Sequence, residues 1–334
     1  MLTVLAAGPC VTVQDAGRPG LMAQGLSRGG AADTRALAEG WALLAQPGAA
    51  CLELAGFGGR FRLDRAARIA LTGAAMPARV GDRVLPWNAA LALPAGAVIE
   101  VGAARAGVYA YLHIGGGIAT PPLLGSRAAH LVAGIGRRLA PGDVLPLGDD
   151  PGGPVDVTLD AAPRFGGGEL RLTASVQTGL FAPDTRARFE ATAFRAGRGD
   201  RMGLALAHDS AGFATDAQRS LVSEVIVPGD VQMTGTGAPF VLLAECQTTG
   251  GYPRIGAVIP CDLPRAAQAA AGDPLRFRFV SEGEALAALA RDRAELAALA
   301  PRPMRRALDT ATLMAAQLVG GAVDARADPF SQEP

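Results

Sequence analysis

Lysine is absent from this chain: all 31 basic residues are arginine. That excludes a P-loop lysine on nucleotide phosphates and a Schiff-base lysine. Aromatic residues are scarce at 5%, so the core must be built mostly from Ala, Val, Leu and Ile. Neither sign of charge is in excess, because 31 bases cancel 31 acids, and no global field draws in nucleic acid or an anionic membrane. No apolar run reaches the roughly 18–20 residues that span a bilayer. The opening MLTVLAAGPC lacks the basic and long apolar stretches of a signal peptide. Four cysteines (Cys10, Cys51, Cys246, Cys261) show neither CxxC pairing nor metal-type spacing with the three histidines, so no metal is expected. These absences lead us to expect a soluble, reduced, cytoplasmic protein that binds neither nucleic acid nor membrane.

What is present is an apolar fraction of 49%, ample for a sizeable core, and 44 Gly with 24 Pro scattered between apolar runs. That distribution fits short strands and many turns. DTRALAEGWALLAQ, opening on Asp33 as a cap and with Pro47-Gly48 behind it, predicts a helix over 33–46. From Cys51 to Leu147 short branched runs recur about every ten residues, the spacing of an all-β barrel or sandwich. Residues 151–163 mix Gly, Pro and Asp without periodicity and mark a boundary. A second β-rich segment follows, with strand-like runs at ELRLTAS, RARFEATAF, RMGLALA, SEVIVPGDVQMT, FVLLAE, IGAVIP and PLRFRFV. Ser281, with Glu284 three residues on, caps a helix expected at 283–299. Met304–Leu318 is a second helical candidate, and Asp324–Pro334 is expected to be disordered. The organisation expected is a β-rich domain over 1–155, a second over 165–285, and a helical tail over 286–334.

The chain's chemistry is most concentrated in Phe240–Asp262, FVLLAECQTTGGYPRIGAVIPCD. Two apolar runs flank a polar turn, as in a hairpin or strand–loop–strand unit. Gln247, Thr248, Thr249 and Tyr252 supply an amide, two hydroxyls and a phenol. Gly250-Gly251 can turn N–H groups toward an anion, and Arg254 adds a fixed positive charge. An ordinary solvated Gly-Gly turn accounts for the same spacing. Gln14-Asp15-Ala16-Gly17-Arg18 sets a carboxylate and a guanidinium around a glycine; it reads either as a stapled turn or as a forked grip on a carboxylate, ureido or phosphate oxygen. Gly115-Gly116-Gly117 lacks the pattern and the following helix of a phosphate loop, and close backbone packing explains it better. Cys246 reads as a small hydrophobe, and His113, His130 and His208 form no nucleophile–base order.

The string QTTGGYPRI, with Asp262-Leu263 and Gln268 after it, resembles the family of 5-oxoprolinase C subunits and allophanate hydrolase subunit 2. This is the biotin-dependent carboxyltransferase-domain family, related to the carboxyltransferase domain of urea carboxylase. Other stretches match in the same order: Thr12–Gly20 (TVQDAGRPG), Gly25-Leu26-Ser27, Gly30–Asp33, Leu52-Glu53-Leu54, Tyr111–Ser126, Asp200–Gly203, Ser223-Glu224, and Val227-Pro228-Gly229 with Gln232. One departure stands out: Glu245 occupies a position where the family more often has Asp.

The resemblance implies a mainly β protein of two cyclophilin-like barrels with a few helices. It implies one component of a hydrolase, active within the 5-oxoprolinase complex beside a sister B subunit and an A subunit, that uses ATP to open the lactam of 5-oxo-L-proline to L-glutamate. Two alternatives are a biotin-dependent carboxyltransferase acting on a urea-type acceptor, and a non-enzymatic regulator of a kinase inhibitor. Without lysine the chain can act on biotin but cannot carry it. The resemblance also points to Glu245, Gln247, Thr248, Thr249 and Asp15 as catalytic. It points to Arg18, Arg201, Gly250, Gly251, Tyr252 and Arg254 as substrate-binding, with Arg201 serving either an anionic group or an interdomain contact. Asp15, Arg18, Arg201 and the 247–254 loop are expected to share one cleft. Thr249→Val or Arg254→Ala is expected to remove activity and spare the fold.

Overall fold

The computed structural model describes residues 1–215 and 221–304. The strands up to residue 158, joined by a short one at 302–303, form two sheets. One has six strands, ordered 144–145, 2–7, 57–63, 98–103, 78–80 and 83–84. The other has seven, ordered 11–14, 51–55, 109–114, 67–73, 89–93, 157–158 and 302–303. Apolar side chains from both sheets, among them Leu2, Phe61, Ile99, Leu52, Leu71 and Leu112, meet in one buried cluster. The alternating burial of Phe57–Leu63 shows the period of two that puts every second residue into this core. Tyr109–Ile114 is buried at every position, because helix α1 (Thr34–Leu44) covers its other face.

From residue 168 seven strands close a barrel, in the order 168–173, 254–258, 230–233, 239–242, 203–207, 194–199 and 274–279. The ring closes through a parallel pairing of Gly168–Leu172 with Leu275–Phe279. Four of the eleven phenylalanines, Phe189, Phe194, Phe213 and Phe277, stack at one side of its core with centroids 5.0–5.8 Å apart.

The expected helices form where the capping signals placed them. The Asp33 side chain accepts from Arg35 N and Ala36 N at the start of α1. Two further helices were not expected. RARFEATAF is not a strand: Pro183–Ala191 is helix α2, with Pro in its first turn, and the strand begins only at Phe194. Leu263–Gln268 forms the short α3. In the last described helix, α4 (Glu282–Ala297), Ser281 caps by accepting from Glu284 N. Beyond it Arg302–Pro303 returns to the first-half sheet and pairs with Val157–Thr158. The expected helix at Met304–Leu318, past Met304 itself, and the expected disordered end lie outside the described residues.

Candidate functional site

Buried carboxylates and Arg201 join the two halves of the chain. Arg201, on the turn between strands 194–199 and 203–207, is 5% exposed. Its Nη1 donates to Glu53 Oε1, its Nε to Glu245 Oε1 (2.5 Å) and its Nη2 to Gly30 O (2.5 Å). Glu53 Oε2 accepts from the Tyr111 hydroxyl (2.7 Å) and Ala32 N (2.8 Å). The second oxygen of Glu245 accepts from Leu131 N (2.8 Å) and Val132 N (3.3 Å). Burial opposes charge on Arg201, but Glu53 and Glu245 outweigh it and raise its pKa. Burial first, and the Glu53 charge second, push the Tyr111 phenol well up, so it remains a donor. The longer reach of Glu245 therefore still meets a guanidinium, and Arg201 serves as a bolt between the halves. Arg164 ties the connecting segment to the first half, gripping Asp33 Oδ2 (2.6 Å) and both oxygens of Glu39 (2.8 and 2.7 Å), and Gln268 Nε2 reaches the same Asp33 oxygen from the second half (2.8 Å).

Asp15 lies beside this lock: its backbone oxygen accepts from Ala31 N (2.9 Å), next to Gly30. Its carboxylate accepts from Ser126 Oγ (2.6 Å), Arg127 N (2.7 Å) and Gly17 N (2.8 Å). Gly30 has φ +81°, and a Cβ there would fall 2.6 Å from Gly17 N, which explains the glycine. Arg18 is 1% exposed; it donates to the carbonyls of Leu123, Ser126 and Ala128 and touches no carboxylate. Ser27 Oγ sits 2.8 Å from His130 Nε2, a pair that no local pattern announces across 103 residues. Ala133 N donates to His130 Nδ1 (3.2 Å), so Nε2 carries the proton and His130 is a donor to Ser27, not its base. Burial chiefly lowers the His130 pKa and keeps the ring neutral.

The 247–254 loop joins two barrel strands that flank strand 230–233, so the unit is strand–loop–strand and not a hairpin. Thr249–Gly250 pairs with Glu224–Val225 as a small ribbon. Gln247, Thr249 and Tyr252 are exposed, whereas Thr248 is buried and its carbonyl accepts from Ile226 N. Arg254 is not at an exposed tip. It is 7% exposed, with Nη2 on Glu224 Oε2 (2.6 Å) and Nη1 on Asp230 Oδ2 (3.3 Å) and Val225 O (2.8 Å). Arg254→Ala is therefore expected to cost about 1–2 kcal/mol in a denaturant titration, since Asp230 would stay buried while half-exposed Glu224 rehydrates. Cys246 packs with Ile226 and Leu242, and burial pushes its thiol up to about 12, so it is no nucleophile.

The structure thus gathers Asp15, Arg18, Arg201 and Glu245 around Gly30. Gln247–Arg254 is built onto the neighbouring 224–230 segment. Among the described residues no side-chain hydrogen bond or ion pair joins the Arg254 group to the Arg201 group. Glu53, Glu39 and Arg164 carry much of the polar architecture without a role read from sequence, and Asp33, read there only as a helix cap, also holds Arg164. The one available signal was a carboxylate inside an apolar strand run, Leu52-Glu53-Leu54.

Residues 24–279 match the family described as "Carboxyltransferase domain, subdomain A and B". The chain belongs to this carboxyltransferase-domain family. It is 33% identical over 294 residues to the 5-oxoprolinase C subunit of Escherichia coli K12, covering 86% of this chain and 94% of that protein. It is 30% identical over 293 residues to the 5-oxoprolinase C subunit of Haemophilus influenzae, covering 85% and 93%. Among solved structures the fold is similar to TTHA0988 (TM-score 0.76, 30% identity, 83% of this chain and 55% of that one). It is also similar to the Kluyveromyces lactis urea amidolyase (TM-score 0.79, 21% identity, 88% and 20%). The urea amidolyase likeness bears on the fold of this carboxyltransferase-family chain, which is mainly β. No helix among the described residues is long and apolar enough to cross a membrane.

Proposed function

We propose that this chain is the C subunit of a cytoplasmic, ATP-dependent 5-oxoprolinase that works with a sister B subunit and an A subunit to open 5-oxo-L-proline to L-glutamate. The observation that carries this reading is the match over 94% of a 5-oxoprolinase C subunit at 33% identity. A lactam is a poor electrophile, and ATP supplies the activation when it is bound. Gly115–Gly117 offers no cradle for its phosphates: a Cβ on Gly115 would lie 2.1 Å from Asp150 Oδ2, and one on Gly116 2.0 Å from Gly148 O. The turn is filled by protein and faces a carboxylate, so ATP is not assigned to it. What this chain offers a ligand or a sister component is the exposed amide, hydroxyl and phenol of Gln247, Thr249 and Tyr252, of which Thr249 is held on a paired ribbon. Asp15 and Glu245, the two candidates for proton handling, are committed to internal hydrogen bonds, which supports a dependence on the assembled complex.

The test is co-expression with the sister subunits and an assay of 5-oxoproline-dependent ATP hydrolysis by the purified complex and by the chain alone. Turnover is expected only from the complex; equal turnover by the lone chain would overturn the reading. In that assay Thr249→Val is expected to lower turnover about 10²–10³-fold if its hydroxyl donates to developing charge. Its melting temperature should barely move, because the side chain is exposed. The carboxyltransferase family match favours a second reading, carboxyl transfer from biotin carried by another protein to a urea-type acceptor. Avidin-sensitive carboxylation with no response to 5-oxoproline would select it.

A further inference from the structure

We propose that the groove beside Arg18 is a subsite for a small monocarboxylate with a compact apolar body. That the acid is 5-oxoproline rests on the function proposed above; the carboxylate class does not. The groove has a volume of about 350 Å³, and Arg18 forms part of its wall together with Val13, Leu123, Ile135 and Leu139. Five arginines are buried among the described residues: Arg18, Arg68, Arg164, Arg201 and Arg254. Arg68 holds Asp150, Arg164 holds Asp33 and Glu39, Arg201 holds Glu53 and Glu245, and Arg254 holds Glu224 and Asp230. Arg18 alone has no carboxylate in contact.

Three carbonyls fix its fork instead. Nε donates to Leu123 O (3.3 Å), and Nη2 to Ser126 O (3.3 Å) and Ala128 O (2.6 Å). Nη1 is buried with no partner at all. A buried donor without an acceptor, on a cation without a counterion, is costly unless something arrives to complete it. The neighbouring acids do so only at a distance. Burial pulls the Arg18 pKa down, and Asp15 and Glu245 pull it back only in part while their own oxygens are engaged elsewhere. A ligand carboxylate supplies both missing features, an acceptor for Nη1 and one negative charge. Of the other arginines at the groove, Arg137 is already paired with both oxygens of Asp143, and Arg127 is exposed to water with its Nε on Thr120 O, which leaves Arg18 as the one buried cation to neutralise and favours a monoanion over a phosphate dianion. The aliphatic wall suits the methylenes of a five-membered ring.

The test is calorimetric titration of the purified full chain with 5-oxoproline, cyclopentanecarboxylate, 2-pyrrolidone and inorganic phosphate. Both acids are expected to bind, with 2-pyrrolidone, the same lactam without the carboxylate, at least tenfold weaker. Arg18→Gln should weaken both acids at least tenfold. Should that variant not fold, Val144→Trp decides: Val144 lines the groove, is 50% exposed and takes no part in the Arg18 carbonyl contacts, so a tryptophan there is expected to obstruct the groove and spare Arg18. It should weaken both acids equally. Binding of cyclopentanecarboxylate without 5-oxoproline would uphold the subsite and count against the oxoprolinase reading. Binding of neither acid, phosphate binding as tightly as the acids, or binding untouched by Val144→Trp would overturn the subsite and leave the oxoprolinase reading to the assay of the complex.

Discussion

Arg201→Met should lower the free energy of unfolding by about 3–5 kcal/mol, the cost of leaving buried ionic partners without their counter-charge. Methionine keeps much of the side-chain volume, so the loss is electrostatic and not a cavity effect. Glu53 and Glu245 are each 1% exposed and would face each other across the vacated guanidinium site. Both retain other donors, Tyr111 and Ala32 for Glu53 and Leu131 and Val132 for Glu245, which holds the cost toward the lower end of that range. Denaturant titration at pH 7 measures it. Adding Glu53→Gln and Glu245→Gln to Arg201→Met should restore much of the lost stability, because neutral amides no longer demand a cation. A single-variant cost below about 1 kcal/mol would show that the lock is ornamental, on the scale of a surface ion pair. The same variant bears on function in the assay of the complex, since Arg201 fixes Glu245 and, through Gly30, the turn that carries Asp15.

Local features of this fold were legible in the sequence and distant ones were not. Asp33 and Ser281 cap their helices through donors two or three residues away, so the signal and its partner share one window. Strand-like runs such as RIALTG and PLRFRFV became strands because alternation is itself local. RARFEATAF failed for a physical reason: in α2 only Phe189 is buried, so the polar exposed positions leave a spurious alternation of charge and apolar residues. The Pro183-Asp184 start was the better signal. At the candidate site, the Asp15 and Arg18 turn and the polar 247–254 loop were visible as motifs. Their partners were not, because Arg201 reaches Glu53 across 148 residues and Arg164 reaches Asp33 across 131. Arg254 shows the limit most clearly: following Pro253 it reads as a turn residue, yet Glu224 and Asp230 bury it.

Acid should destabilise this chain through His113 in a way a single substitution can isolate. His113 lies in the fully buried strand Tyr109–Ile114, and burial pushes its pKa from 6.5 down to about 3. Thr72 Oγ1 donates to Ala36 O (2.8 Å), so it accepts from His113 Nε2 (3.0 Å), and the ring is neutral. The ring packs directly on α1: a Cβ on Gly40 would fall 2.1 Å from Nε2, leaving no room for water to solvate an imidazolium. Because the folded pKa is depressed, the unfolded chain binds the proton first. The contribution of His113 is whole above about pH 6.5, shrinks as pH falls from there toward 3, and changes no further below that. Integrated over that window the loss is about 4–5 kcal/mol. Stability measured by denaturant titration at pH 7, 5 and 4 should therefore fall more steeply for the wild type than for His113→Gln. That variant costs stability at every pH through altered packing but cannot titrate, so the difference in slope, not in level, is the readout. Parallel pH profiles for the two proteins would mean that His113 titrates in the folded state as it does in the unfolded chain, hydrated and not held neutral by burial, and that Gly40 is small for some reason other than a neutral imidazole packed against it.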